Sequence, residues 1–268
     1  MSMPMTQHTR PAVPVLLASV MLGLMTGSAW GAPSGLSVVA GEVSASGLGS
    51  KKVTIQQATA HAVLHWREFN LAHDEVAQFI QPNSSAIALN RIFDVNPSQI
   101  FGRLEANGHV ILLNPNGVMF GPTAQVNVGS LTASSLHLST ENFLAGRLHF
   151  EGPATSGPVK NAGAIEAAAG GIYLLAPNVE NSGVITAKDG QITLAAGSTV
   201  YLSDRPDGRG LLVEVKAPAG QAGNLKDLIA EGGGITLAGP KAAALPSRVA
   251  SSIRKDWRRP TARANETA

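Results

Sequence analysis

The chain has 268 residues, a formal net charge of +2, 29 glycines, 4% aromatic and 14% charged residues, and no cysteine. That length holds one sizeable domain with appendages, and the composition is too apolar for a disordered chain and too poor in aromatics for an ordinary compact enzyme core. Without cysteine there are no disulfides, zinc–thiolate centres or thiol nucleophiles; small turn residues scattered among β-branched ones point to a repetitive β architecture.

At the N-terminus, Arg10 closes a short polar start, Val13 to Gly27 is apolar with small residues mixed in, and Ala29, Gly31 and Ala32 follow. This is the layout of a secretory signal peptide over residues 1–31, cleaved after Ala29 or Gly31. The apolar core is short and interrupted by Gly23, Thr26 and Gly27, which argues against a membrane anchor. The mature protein is therefore expected outside the inner membrane.

From Ala32 to about Ser50 the chain is rich in Gly and Ser, with Val38-Val39 and Val43 as short strand candidates. Val53-Thr54-Ile55-Gln56-Gln57 alternates cleanly, and Ala62-Val63-Leu64-His65-Trp66 follows. His65 beside Trp66 reads as a packed Trp with a surface His. Phe79-Ile80-Gln81-Pro82, Ala86 to Asn90 and Ser98 to Gly102 are further short runs with polar, Pro or Gly punctuation. The run Val110-Ile111-Leu112-Leu113 reads as a buried strand, stopped by Asn114-Pro115-Asn116-Gly117-Val118. Pro115 suits the first corner of a tight turn, and Asn116 and Gly117 tolerate left-handed backbone. Ala124 to Val128 then alternates as a second strand. Asn side chains at such corners bond a neighbouring turn or the equivalent Asn one coil away. Asn90, Asn107, Asn114, Asn116 and Asn127 are thus expected to be ladder rungs and turn locks rather than ligands.

After Pro158 the chain repeats. Asn161-x-Gly163-x-Ile165-x-Ala167 is matched by Asn181-x-Gly183-x-Ile185-x-Ala187, offset by 20 in the sequence. Gly171-Ile172-Tyr173-Leu174 is matched by Gln191-Ile192-Thr193-Leu194 at the same offset. A weaker echo stands at Gly234-Ile235-Thr236-Leu237, with Leu212-Val213-Glu214-Val215 between. Three short strands plus turns fill one such repeat at about 3.3 Å per residue, which predicts a β-solenoid with Ile and Leu inward and Gly and Asn at corners. Beyond it, Ala243 to Arg259 has Leu245, Val249, Ile253 and Trp257 at i, i+4 spacing, the pattern of a short basic helix able to cap an open solenoid end.

The run from Val53 to Leu138 resembles the N-terminal secretion domain of two-partner secretion exoproteins of the filamentous-haemagglutinin type. The residues that carry the likeness are Trp66, Phe69 and Asn70; Gln81 and Pro82; Asn90 and Arg91; Asn107 and Gly108; Asn114-Pro115-Asn116-Gly117-Val118 and Gly121; and Asn127 and Gly129. The resemblance implies an all-β, right-handed parallel β-helix with an N-terminal cap. It divides the chain into a signal peptide over 1–31, cap and secretion core over 32–160, β-helix coils over 161–240, and a helical or disordered basic tail over 241–268. It further implies a Gram-negative exported protein, recognised while extended by the POTRA domains of an outer-membrane β-barrel transporter. The Asn-Pro-Asn-Gly turn resembles the family's secretion-critical motif, which either contacts the transporter or nucleates the first coils. A further Asn-Pro-Asn-Leu motif common in adhesin members is not found, and those members run far longer.

The function expected is that of a secreted, non-enzymatic adhesin or surface factor, complete or truncated, with a host or neighbouring-cell surface as ligand. It is expected to be a monomer, with no cofactor, no metal and no specific nucleic acid. Two alternatives stand beside it. Parallel β-helices also act on polysaccharides, but this needs a clustered set of Asp, Lys or Arg. Asp189, Asp204, Asp207 and Arg209 are the late cluster, and their Pro/Gly context reads as a solvated turn. The basic tail would alternatively bind anionic surfaces in a salt-sensitive way. No His-x-x-x-His metal pair lies within a helical pattern, and no phosphate loop or Gly-x-Ser-x-Gly is present.

Overall fold

A computed structural model describes residues 31–204, 211–216, 220–230 and 233–244. The signal-peptide segment before Gly31, Asp207, Arg209 and the tail from Leu245 lie outside the described residues. Three stacks of short strands form the faces of a parallel β-helix. Sheet I stacks Ser37–Ala40, His61–Trp66, Ile87–Ile92, His109–Leu113, Ser130–Ser134, Ile172–Ala176, Ile192–Ala196 and Ile235–Ala238. Sheet II stacks Val43–Ser46, Lys52–Gln57, Val76–Ile80, Arg103–Ala106, Gln125–Val128, Ala164–Ala167, Val184–Ala187 and Leu228–Ala230. Sheet III stacks Ser98–Ile100, Val118–Phe120, Val159–Asn161, Asn178–Asn181, Gln221–Asn224 and Lys241–Ala244. The chain visits III, II and I in turn. Among the described residues of these three sheets, only the first strands of sheets I and II pair antiparallel, and these form the N-terminal cap.

Register is set by the inward alternation. Along sheet II, Val53, Ala77, Leu104, Val126, Ile165, Ile185 and Leu228 lie one above the next. All are buried in the central core. A slip of one residue would turn every one of these side chains to water, so one register dominates. The 20-residue repeat is one coil: Asn161 pairs Asn181, Ile165 pairs Ile185, and Ile172 pairs Ile192. The echo at Ile235 is the following coil, in register with Ile192.

Leu212 to Val215 is not a coil strand. It belongs to an antiparallel outer sheet of Leu148–Glu151, Thr199–Asp204 and Leu211–Lys216, built from two excursions of the chain. Both excursions leave from the end of a sheet I strand and return to sheet III. The first also carries the one-turn helix Thr140–Leu144, whose N-cap Ser139 accepts a hydrogen bond from the Asn142 N–H at 3.1 Å. Phe143, Phe150, Val200 and Leu202 pack on the outward residues Val63, Leu89, Ile111 and Leu175 of sheet I as a second core. A sheet covered on both faces needs a continuous apolar run rather than alternation. Ile172–Ala176 and Ile192–Ala196 are such runs, buried at every residue. At the far end Ala243 and Ala244 belong to a strand paired with Gln221–Asn224, not to the start of a helix.

The corner between sheets III and II carries an asparagine ladder. Asn161 Nδ2 donates to Asn181 Oδ1 at 2.7 Å, and Asn181 Nδ2 donates to Asn224 Oδ1 at 2.7 Å. Each rung also donates to the backbone carbonyl two residues on, at Gly163, Gly183 and Lys226. All three are buried. Asn181→Ala removes partners from both neighbours, at about 1–3 kcal/mol for each buried group left unpaired. Lys160→Ala breaks only an exposed pair with Glu180 and should cost under about 1 kcal/mol. Urea denaturation midpoints of the two variants check the contrast.

Candidate functional site at the Asn-Pro-Asn-Gly turn

Asn114 to Gly117 turns the chain from sheet I strand His109–Leu113 to sheet III strand Val118–Phe120. The turn closes on itself through the Gly117 N–H, which donates to the Asn114 carbonyl at 2.9 Å. The Asn116 N–H donates to Asn114 Oδ1 at 2.9 Å, the local bond that gives Asn its place in turns. Gly117 has φ +113°, and a Cβ there would meet the Pro158 carbonyl oxygen at 2.6 Å, so no larger residue fits.

The turn is bolted to the coils on both sides. Towards the preceding coil, Asn114 Nδ2 donates to the Asn96 carbonyl at 3.0 Å and to Ser98 Oγ at 3.1 Å, and Asn116 Nδ2 donates to the Asp94 carbonyl at 2.8 Å. The Ser98 N–H also donates to the Gly117 carbonyl. Towards the following coil, the Gly157 N–H donates to the Pro115 carbonyl and the Val118 N–H to the Pro158 carbonyl. Asn114 is fully buried, while Pro115 and Asn116 are exposed. Asp94 accepts from the Asn96 N–H at 2.9 Å, and beside it Phe93 and Val95 are exposed apolar side chains. Asp94, Ser98 and Pro158 escape sequence reading, because nothing local tells that they frame a turn 16 to 40 residues away.

The other predicted positions distribute around the coils. Trp66 is buried against Phe69, edge to face at 5.3 Å, and its Nε1–H donates to Asn90 Oδ1 at 2.9 Å. Asn90 is thus a rung in the core, and its Nδ2 also donates to the Ala88 and Ile111 carbonyls. Asn70 Oδ1 accepts from the Gln99 N–H and so starts sheet III. At the corner between sheets II and I, Gln81 bonds Gln57, the Ala86 carbonyl and the Gly108 N–H. Asn107 clamps Gln81 at two points, donating to its carbonyl and accepting from its N–H, both at 2.7 Å. Gly129 packs on the carbonyls of Asn107 and Gly108, and Gly121 on the Phe101 ring. Pro82 is exposed. Asn127 departs from expectation: it sits in mid-strand on the exposed face of sheet II, where alternation directs it to water, and it is no corner lock. Asn224, a true rung, was missed because an excursion separates it from Asn181 by 43 residues.

Arg91 anchors the helical excursion. Its Nη1 donates to Thr140 Oγ1 at 2.7 Å and its Nη2 to the Leu138 carbonyl at 2.6 Å. His65 lies 3.4 Å from Nη1 and edge-on to Phe93. Burial and then the Arg91 charge lower the pKa of His65 and of His137; Glu151 opposes the shift at His137. His109, hydrogen-bonded to Thr132 Oγ1 at 2.9 Å, is pushed down to about 4 by burial. Asp189 is exposed at a coil corner, and Asp204 ends an outer-sheet strand. Among the described residues no three His, Asp or Glu side chains are grouped as a metal site would require.

Residues 31–252 match the family model of the TPS secretion domain. Over 126 residues the chain is 37% identical to a heme/hemopexin-binding protein of Haemophilus influenzae (strain ATCC 51907 / DSM 11121 / KW20 / Rd), covering 47% of this chain and 14% of that protein. A second heme/hemopexin-binding protein of Haemophilus influenzae is 35% identical over 127 residues, covering 46% and 14%. The match thus spans only 14% of the length of these curated relatives. Among solved structures, the HMW1 secretion domain from Haemophilus influenzae superposes with a TM-score of 0.71 at 33% identity, covering 77% of this chain and 56% of that one. The filamentous hemagglutinin secretion domain superposes with a TM-score of 0.51 at 14% identity, covering 83% and 98%, a likeness of fold alone.

Two outcomes follow from this geometry. Asn114→Ala should destabilise the fold by about 1–3 kcal/mol, because it strips hydrogen bonds from the Asn116 N–H, the Asn96 carbonyl and Ser98. Asn116→Ala, at an exposed site with one lost bond, should cost less, as read by denaturant midpoints. For pH, the folded chain holds His109 neutral down to about 4, below its ordinary value near 6.5. The folded state binds fewer protons in that window, so this contribution is present above about pH 6.5 and lost as pH falls towards 4. His109→Asn should flatten the fall of Tm in that window relative to the parent chain.

Proposed function

The chain belongs to the TPS secretion domain family, and from that premise we propose that its Asn-Pro-Asn-Gly turn is the folding lock on which its export depends. The family is one of two-partner secretion substrates, with an outer-membrane transporter as partner and a route through the periplasm to the cell surface or the medium. The observation that carries the reading is the burial of Asn114. A side chain enclosed in the folded coil, with both its amide atoms bonded, offers no surface to a transporter once folding is complete. Its role is then met in two ways only: read in an extended chain, or used to close the coil that drives folding.

The second way fits the turn's chemistry. Pro115 limits the unfolded chain at the corner, and Gly117 supplies the backbone that the corner requires. Closing the turn joins three coils at once, since its partners are Asp94, Asn96 and Ser98 on one side and Gly157 and Pro158 on the other. Folding outside the cell then helps to draw the chain through. The extended chain ahead of this event is what POTRA domains of the transporter would bind, by the exposed backbone of strands not yet paired. Trp66, Gln81, Asn90 and Asn107 serve coil closure as packing and hydrogen-bonding positions, and Arg91 holds the first excursion against the coils.

The same reading extends to the rest of the chain. Residues 1–31 act as a secretory leader, 32–160 as cap and secretion core, 161–240 as further coils and 241–268 as a basic tail. The exported protein acts as a monomeric, non-enzymatic adhesin or surface factor towards a host or neighbouring cell. The two curated relatives are named for binding heme and hemopexin, and the matched segment is a small part of their length.

Co-expression with a cognate transporter tests the lock. Asn114→Ala should reduce release into the medium and slow refolding of the purified chain, with synthesis unchanged. Asn116→Ala should be milder in both. Normal release of the Asn114 variant would reject the proposal, and reduced release with unchanged refolding would assign the turn to direct recognition instead.

A further inference from the structure

Two of the corner asparagines are followed directly by glycine, as Asn107-Gly108 and Asn116-Gly117. An asparagine amide is open to attack by the backbone nitrogen of the next residue. Glycine, with no Cβ in the way and the widest backbone freedom, makes that approach easiest. Asn114 cannot react in this way, because Pro115 has no N–H to give up. We propose that Asn107 and Asn116 are deamidation sites of the unfolded chain, and that stacking of the coils closes both.

The chemistry needs only water. The glycine nitrogen forms a bond to Asn Cγ while the Cγ–Nδ2 bond breaks, and the glycine N–H proton leaves with the amide nitrogen as ammonia. Water then opens the five-membered imide at either carbonyl, leaving aspartate or an isoaspartyl linkage.

In the folded chain both attacking nitrogens are engaged. The Gly117 N–H donates to the Asn114 carbonyl at 2.9 Å, and the Gly108 N–H donates to Gln81 Oε1 at 3.0 Å. Both side-chain amides are held on the neighbouring coil, Asn116 Nδ2 by the Asp94 carbonyl at 2.8 Å and Asn107 Nδ2 by the Gln81 carbonyl at 2.7 Å. The same contacts make the product costly. A carboxylate at either position sets an acceptor against a carbonyl acceptor, and an isoaspartyl linkage adds a backbone atom to a corner whose coils must stay in register. A chain that reacts before it folds therefore stacks poorly at these corners. That this limits the time available for export rests on the reading above, that the chain crosses unfolded; the chemistry does not.

The test uses the purified full chain without transporter, held at neutral pH in urea or in native buffer, with deamidation at each asparagine read by peptide mass spectrometry. In urea Asn107 and Asn116 should react well ahead of Asn90, Asn114 and Asn161. In native buffer both should slow by about tenfold or more, the protection that a local opening equilibrium gives. Failure to react in urea, or equal rates in the two buffers, would overturn the proposal. In a second arm the aged chain is returned to native buffer and treated with protease. Deamidated peptides should be enriched in the digested fraction, and an even share in the resistant core would overturn the claimed effect on folding. Asn107→Asp and Asn116→Asp should each lower the denaturation midpoint, and a parental midpoint in both would do the same.

Discussion

The strands within one coil of a β-helix make no backbone hydrogen bonds to one another, and the rest of this structure depends on that. Each strand N–H and C=O must find its partner one coil up or down, since a buried unpaired backbone group is costly. The asparagine, glutamine and turn contacts extend the same rule to the corners, where the strands end and the backbone would otherwise be left open. Asn161, Asn181 and Asn224 continue the ladder through side chains, and Asn114 does so for a turn. Stability is thus transmitted between neighbours rather than stored in any one coil, as expected of a stacked repeat.

Stacking alone does not explain the two cores. The central core is filled from three sides and is narrow, so it holds aliphatic side chains and a few rings such as Trp66, Phe69 and Phe79. Sheet I carries a second core on its outward face because two excursions fold back over it. Those excursions come from coils that are not adjacent, and Leu148–Glu151 pairs with Thr199–Asp204 across the coil between. The outer sheet therefore ties N-terminal coils to later ones, and Arg91, which holds the first excursion by a hydroxyl and a carbonyl, ties it to the sheet I strand Ile87–Ile92.

Much of this was legible in the residues. Alternation at Val53 to Gln57 and the Asn/Gly-Ile repeat report periodic burial directly, and both became coils with the expected inward faces. The corner role of Asn114 and Asn116 was readable from turn chemistry, which is local. What lay beyond reading was whatever is fixed by partners distant in the chain. Leu212 to Val215 looks like one more coil strand, and only the excursion's pairing shows that it is not. Asn127 has the right residue type, but its place in mid-strand turns it to water. His109 gives no local sign that burial between the strands on either side will lower its pKa.

The two excursions leave at the same corner, after Ser134 and after Ala196, and each re-enters at the next strand of sheet III. Coil-to-coil spacing at the asparagine ladder is 20 residues without an excursion and 43 with one, yet Asn161, Asn181 and Asn224 remain stacked rungs. That corner is a splice point: chain length is free to change there while the lattice of rungs is not. A foreign peptide threaded in at Ser134 or Ala196 would ride on the outside of the rod as cargo, with the architecture beneath it unaware of the addition.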